Sequence, residues 1–138
     1  MNTGAVIICD VLGFKRISNL HPESVLHKMK CLAPHGEVSQ NNPVMDARVH
    51  YERVVLSDTL IIAAYGDNAD DPLARIELEA RAIHVASTSA ANILAFAASE
   101  PDPPLCFSGC LATGRFMLDG TSLIGPAIDE AAENHKLG

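Results

Sequence analysis

Residues 5–18 read AVIICDVLGFKRIS, and this stretch decides the predicted fold. The continuous apolar run over 4–10 predicts a strand that is buried on both faces. The run ends at a single carboxylate, Asp10, and a glycine turn and a helix starting near Phe14 follow it. A strand that delivers one Asp to such a turn can hold a metal ion or a phosphate group. The same pattern also occurs where an Asp merely ends a core strand and caps the next helix, so both interpretations stay open here.

Length and composition indicate one domain that spans residues 1–138. A chain of this size buries roughly 68% of its unfolded surface, so it needs no disulfide or metal to fold. Apolar residues make up 48% of the chain and aromatic residues 4%, which predicts an aliphatic core rich in alanine. The net charge of −7 argues against a nucleic acid or an anionic membrane as the main partner, because both favour basic surfaces. A small anion can still bind in a locally positive pocket.

The four cysteines, at positions 9, 31, 106 and 110, form no CxxC pair. We therefore predict buried thiols rather than a Cys/His metal site, which needs paired ligands. The N-terminus has no basic region before its apolar run, and that run is too short for a signal peptide or a membrane span. The predicted location is the cytoplasm.

The rest of the chain alternates between helix and strand patterns. In chain order the predicted elements are a helix from Phe14 that resumes over 23–32, a mobile loop over 36–46, strands over 48–56 and 59–64, a helix over 72–99, a strand over 105–113, a hairpin over 114–125 around Asp119-Gly120, and a final helix from Pro126. Apolar and small residues at three- and four-residue steps from Leu73 to Ala97 predict the buried stripe of the long helix. This order fits an α+β fold with a sheet and helices packed on one side.

Asp58 is the second carboxylate that the strand pattern places at a sheet edge. It lies in a two-residue polar step between two strands, which predicts the tip of a hairpin. If these strands are neighbours of the first strand, Asp58 and Asp10 share one edge. Two hard oxygen ligands and a backbone carbonyl such as that of Val11 suit Mg²⁺ or Mn²⁺ carrying a triphosphate. Backbone N–H groups of the glycine turn and helix start, Leu12, Gly13, Phe14 and Lys15, are predicted to face the phosphates.

The chain resembles the catalytic domain of class III nucleotide cyclases, in particular the compact bacterial type. Residues 10–14 (Asp-Val-Leu-Gly-Phe) are similar to the family's first metal-binding motif, and residues 56–59 (Leu-Ser-Asp-Thr) to its second metal-binding hairpin. Residues 108–114 (Ser-Gly-Cys-Leu-Ala-Thr-Gly) and 123–132 (Leu-Ile-Gly-Pro-Ala-Ile-Asp-Glu-Ala-Ala) resemble the strand, hairpin and helix that close the active site. The order of the elements matches over nearly the whole chain.

This resemblance implies a ferredoxin-like or nucleotide cyclase-like antiparallel sheet with helices packed on one face. It further implies that two metal ions held by Asp10 and Asp58 activate the ribose 3′-hydroxyl of a nucleoside triphosphate. That hydroxyl attacks the α-phosphate and releases pyrophosphate, giving a 3′,5′-cyclic nucleotide. The family completes its active site across a dimer interface, so the resemblance also implies a homodimer.

The sequence departs from the family at positions that carry charge. Asp129 and Glu133 stand where the family places an Asn that orients the ribose and an Arg that stabilises the transition state. Asp129 stays a candidate nucleotide-binding residue. Ser108 stands where many members have a phosphate-binding Arg. Loss of a transition-state arginine can lower a phosphoryl-transfer rate by about 10³–10⁵.

Four basic residues are candidates to replace the missing cation. They are Lys15, Arg16, Arg53 and Arg115, and we predict Arg115 as the catalytic one because it follows the turn at Gly114. Three hypotheses therefore remain: an active cyclase, a cyclase-like domain that binds nucleotide or metal or only dimerises, and an unrelated α+β fold in which Asp10 and Asp58 only cap elements.

Overall fold

The computed structural model describes residues 1–32, 48–67, 70–99, 103–119 and 122–135. Within these ranges the chain forms five strands and four helices. The strands are β1 (Asn2–Val11), β2 (His50–Leu56), β3 (Thr59–Gly66), β4 (Phe107–Asp119) and β5 (Ser122–Ile124), and the helices are α1 (Phe14–Leu20), α2 (Pro22–Leu32), α3 (Pro72–Ser99) and α4 (Pro126–His135). The loop predicted over 36–46 lies outside the described residues. None of the helices in the described ranges is long and apolar enough to cross a membrane.

The five strands form one antiparallel, curled sheet in the order β2-β3-β1-β4-β5, so the fold is α+β as predicted. β1 lies at the centre because its side chains are apolar in both directions, and a strand with two buried faces is most stable between two neighbours. Asp10 at the end of β1 pairs with Thr59 on β3 and with Ser108 on β4. This register fixes which residues meet at the edge of the sheet where β1 ends.

The helices pack on both faces of the sheet. Ala5 and Cys9 of β1 belong to a core cluster that includes residues of α2 and α3. Val6 and Ile8, which point the other way along the same strand, belong to a second cluster that includes Ala127 of α4. The prediction that the helices pack on one face is therefore wrong for α4. The prediction fails because the second face of β1 is also apolar. The β4–β5 hairpin reverses the direction of the chain, and α4 then covers this face.

The residues of α3 that were predicted to form a buried stripe are exposed at the N-terminal end of the helix and buried at its C-terminal end. Members at seven-residue intervals become steadily less exposed: Ile76 63%, Ile83 37%, Ala90 8% and Ala97 0%. A line drawn every seven residues rotates by about 20° per heptad on a straight helix. The stripe prediction is thus correct at the C-terminal end of α3 and wrong at its N-terminal end.

β4 is one continuous strand, whereas the sequence suggested a break at Gly114. The strand passes through Gly114 with φ 139° and pairs with β5 only from Met117 onward, so the Asp119-Gly120 hairpin is shorter than predicted. β4 also passes close to β1 at Gly109. A Cβ at Gly109 would lie 2.7 Å from the Cα of Cys9 on the neighbouring strand.

Candidate functional site

Asp10 and Asp58 lie at the same edge of the sheet. β2 and β3 join through a two-residue turn, because Leu56 pairs directly with Thr59. The backbone N–H of Val11 donates to the carbonyl oxygen of Asp58 over 3.0 Å. The hairpin tip is therefore in direct contact with the end of β1, and the predicted edge is confirmed.

The Asp10 carboxylate is half-buried and held in position. The hydroxyl of Thr59 donates to Oδ1 of Asp10 over 2.6 Å. A charge-assisted hydrogen bond this short fixes the orientation of the acceptor. Burial, and secondly the negative charge of Asp10, raise the pKa of the neighbouring Cys9 thiol to about 12. Cys9 is therefore protonated at neutral pH and is no nucleophile or metal ligand there.

An open cleft of about 630 Å³ lies beside the hairpin tip. Its lining residues come from the end of β1, from α1 and from the hairpin: Val11, Gly13, Phe14, Lys15, Arg16, Asn19 and Asp58. Five of the predicted metal- or nucleotide-binding residues are in this set, namely Val11, Gly13, Phe14, Lys15 and Asp58. The structure thus brings most of the predicted site into one concave surface.

Two backbone amides at this edge are already used inside the chain, and one of them is the predicted phosphate-facing amide of Leu12. The N–H of Val11 bonds to Asp58, and the N–H of Leu12 donates to the carbonyl oxygen of Cys106 over 2.8 Å. The side chain of Leu12 is 54% exposed and does not line the cleft. The expectation that Leu12 presents its amide to a phosphate is therefore wrong. Gly13 adopts a left-handed conformation, φ 65° and ψ 28°, before the seven-residue α1.

The charge of the cleft comes from side chains on α1. Lys15 and Arg16 carry two positive charges, and Asp58 carries one negative charge. With Asp10 beside it, the cleft combines two cations and two carboxylates in a chain of net charge −7. Asn19 lies four positions after Lys15, and this helical spacing, which places both on one face, could have identified it from the sequence. Thr59 was also missed, although its place opposite Asp10 follows from the hairpin register.

Arg115 and Asp129 are not brought to this cleft. Arg115 pairs with Thr3, whereas Asp10 pairs with Ser108. Seven residues along β4 correspond to about 23 Å at ~3.3 Å per residue, so Arg115 cannot reach Asp10 of the same chain. The predicted role of Arg115 is thus wrong for a site built from one copy. Asp129 is exposed in the first turn of α4 and does not line the cleft.

The donor set at this edge fits a hard divalent cation. Among the described residues, no group of three or more His, Cys, Asp or Glu side chains could hold a metal ion. Mg²⁺ is often bound by only one or two carboxylates, with water and substrate phosphates completing its shell. Asp10 and Asp58 can supply those carboxylates. The carbonyl of Val11 as a third ligand stays a prediction.

Comparison with known proteins assigns no family. The chain matches no family model, and no curated protein is significantly similar to it in sequence. The cyclase resemblance therefore rests on the motifs around Asp10, Asp58 and residues 108–132.

Proposed function

We propose that the cleft binds a nucleoside triphosphate together with Mg²⁺ or Mn²⁺, in a domain of the nucleotide cyclase type. The observation that carries the proposal is that Lys15, Arg16 and Asp58 line one cleft of about 630 Å³ beside the hydrogen-bonded Asp10. Cations and carboxylates at adjoining positions suit a ligand that brings phosphate oxygens and a divalent cation together.

The polar side chains in and beside the cleft have distinct tasks in this proposal. Asp10 and Asp58 hold the divalent cation, which when bound neutralises and orients phosphate oxygens. The ammonium group of Lys15 and the guanidinium group of Arg16 donate to phosphate oxygens that the cation does not cover. Asn19 offers both a donor and an acceptor to the sugar or base.

The reaction that the resemblance supports is cyclisation to a 3′,5′-cyclic nucleotide with release of pyrophosphate. Its transition state gains negative charge, which needs fixed cations. Glu133 stands where the family has its transition-state Arg. Lys15 and Arg16 are the cations that the cleft offers instead. A homodimer, which the resemblance also implies, would add residues from the second copy.

Binding without turnover is the second candidate, and a specific observation favours it. The residues at the family's transition-state positions, Asp129 and Glu133, are exposed acids on α4. They cannot stabilise a developing negative charge. Domains that keep metal carboxylates but lack this cation would bind a nucleotide and not cyclise it.

A binding titration with a product assay tests both candidates. ATP, GTP, CTP and UTP are titrated into the protein by calorimetry with Mg²⁺, with Mn²⁺ and with EDTA. We expect binding that requires the cation. We also expect Asp58→Asn, Lys15→Ala and Arg16→Ala each to raise Kd by about tenfold or more, since a hydrogen bond to a charged group is worth ~1.5–3 kcal/mol. Mass spectrometry of the same mixtures detects cyclic nucleotide.

Two control variants carry matched charges outside the cleft. Lys30→Ala removes a lysine from the exposed side of α2, and Arg115→Ala removes an arginine from the far end of β4. Neither is expected to change Kd. Cation-dependent binding with cyclic product supports the cyclase, and binding without product supports the second candidate. Absence of binding for all four nucleotides would refute both and leave Asp10 and Asp58 as capping residues.

A further inference from the structure

The N-terminal half of α3 carries a line of apolar and small residues that faces away from the core. Its members are Leu73, Ile76, Ala80, Ile83 and Ser87, which we call the α3 seam. Leu73 is 75% exposed, Ile76 63% and Ile83 37%. The side of α3 that packs on the sheet is different and carries residues such as Ala82 and Val85. Within the part of the chain that the structure describes, the seam is therefore not used in intramolecular packing.

The spacing of the seam is that of a helix-to-helix contact. Steps of three, four, three and four residues reproduce the a and d positions of two heptads. A 28-residue helix is a rigid element of about 42 Å, so these positions form a preformed straight ridge. Apolar side chains at such positions pack into the holes of a facing helix.

A cavity lies at the C-terminal end of the same ridge. It has a volume of about 400 Å³, is partly open to solvent, and is lined mainly by apolar residues of α3 and of the strands β1, β3 and β4. Ser87, Ala91 and Leu94 form one wall, and Leu111, which is 37% exposed, lies on the β4 side. The cavity has room for a large aliphatic side chain that arrives from outside.

We propose that a second copy of this chain docks antiparallel along the α3 seam, with Ala80 at the two-fold axis. In this register facing residue numbers sum to 160, which brings Ile76 to within one residue of Ile83 of the partner, and the two alanines at the centre allow close approach of the helices. Leu73 of the partner then lies opposite Ser87, at the mouth of the cavity that it would fill. The seam is complementary to itself when reversed, as a two-fold interface requires.

The charge distribution along α3 favours this orientation. Asp67, Asp70 and Asp71 precede the helix, and Glu79 is its last acidic residue, so residues 80–99 contain no Asp or Glu. Antiparallel docking places the acidic end of each helix against the half of the other that contains no acidic residue. Parallel docking would place two acidic clusters side by side in a protein whose net charge is already −7. The two helix dipoles also point in opposite directions in this pair, and their interaction is then favourable.

The interface uses no residue of the proposed nucleotide cleft, so it stands or falls independently of the proposed function. Sedimentation velocity from about 1 to 300 µM tests it directly. We expect a species of about twice the 14.7 kDa chain mass at the higher concentrations. Ile76→Glu and Ile83→Glu are each expected to raise the dimer Kd by about tenfold or more, because each side chain occurs twice in the interface. Leu26→Glu on α2, where the side chain is 58% exposed, is the matched control and should leave Kd unchanged.

Cysteine cross-linking tests the register. In a background of Cys31→Ser, Cys106→Ser and Cys110→Ser, Ala80→Cys should form a disulfide-linked dimer on mild oxidation. Leu73→Cys should not, since the two copies of Leu73 lie about 21 Å apart along the antiparallel pair. A parallel pair would cross-link at both positions. A monomer at every concentration, a dimer insensitive to Ile76→Glu and Ile83→Glu, or cross-linking at Leu73→Cys as strong as at Ala80→Cys would each overturn the proposal, and circular dichroism confirms that every variant is folded.

Discussion

Replacing Arg53 by Met is expected to stabilise the protein, although it removes a charged side chain from the sheet. Arg53 on β2 is only 4% exposed, and it points to the face of the sheet that α3 covers. Within the described residues, Nη2 of its guanidinium group has no hydrogen-bond partner. At this atom the charged group has lost hydration without gaining a hydrogen bond in return.

The size of the effect follows from what Met keeps and what it removes. Met retains an unbranched apolar stem of similar length, so most of the buried apolar contact remains. It removes a buried donor that lacks a hydrogen bond. Such a donor destabilises the folded state by about 1–3 kcal/mol, and by more when the group is charged. We therefore expect the free energy of unfolding to rise by about 1–3 kcal/mol. Replacement of buried charged groups by apolar ones commonly gives this sign.

Urea unfolding followed by far-ultraviolet circular dichroism measures the change, since the chain has no Trp. A gain of 2 kcal/mol moves the midpoint by about 1 M when m is ~2 kcal/mol/M. Lys28 is the matched buried cation: it is 5% exposed, but its Nζ donates to the carbonyls of Ala97 and Pro103, each over 2.9 Å. Lys28→Met should therefore destabilise by about 1–3 kcal/mol. The reasoning is refuted if Arg53→Met destabilises the protein by more than about 1 kcal/mol.

Four further predictions concern strained, close-packed or buried positions. Gly109→Ala should lower the free energy of unfolding by about 3 kcal/mol, because its methyl group would overlap the backbone of Cys9, and urea unfolding will show whether it does. Ser57→Gly should raise it by about 1 kcal/mol, since Ser57 has φ 57° at the hairpin tip, and an unchanged or lower midpoint contradicts this. Cys9, with a pKa of about 12 against an ordinary 9.0, should resist iodoacetamide at pH 8 while the exposed Cys31 reacts, as peptide mass spectrometry can establish. Because the folded-state pKa of Cys9 is raised, its contribution to stability is present below pH 9 and is lost as the pH rises from 9 to about 12. The free energy of unfolding should therefore be lower at about pH 10.5 than at about pH 7.

The main features of the candidate site could be predicted because they are encoded locally. A strand that ends at Asp10 and a two-residue turn at Asp58 are short-range patterns, and antiparallel pairing brings such ends to one edge. The helix start after Gly13 likewise predicted Phe14 and Lys15 as site residues, whereas Asn19 was not identified. Arg115 was misplaced because its position depends on the length of β4: a continuous strand carries it to the opposite end of β1 from Asp10.

The sequence alone determined the α+β class and the burial of β1 on both faces, and it placed Asp10 and Asp58 at strand ends. Each of these depends on the polarity of neighbouring residues along the chain. Only the tertiary structure decided that α4 covers the second face of the sheet and that the line from Ile76 to Ala97 turns from solvent into the core. The first depends on which of two apolar sheet faces a returning helix meets. The second depends on how a line through every seventh residue turns around the helix, by about 20° per heptad. The apolar pattern is the same whether such a line stays buried or turns toward solvent.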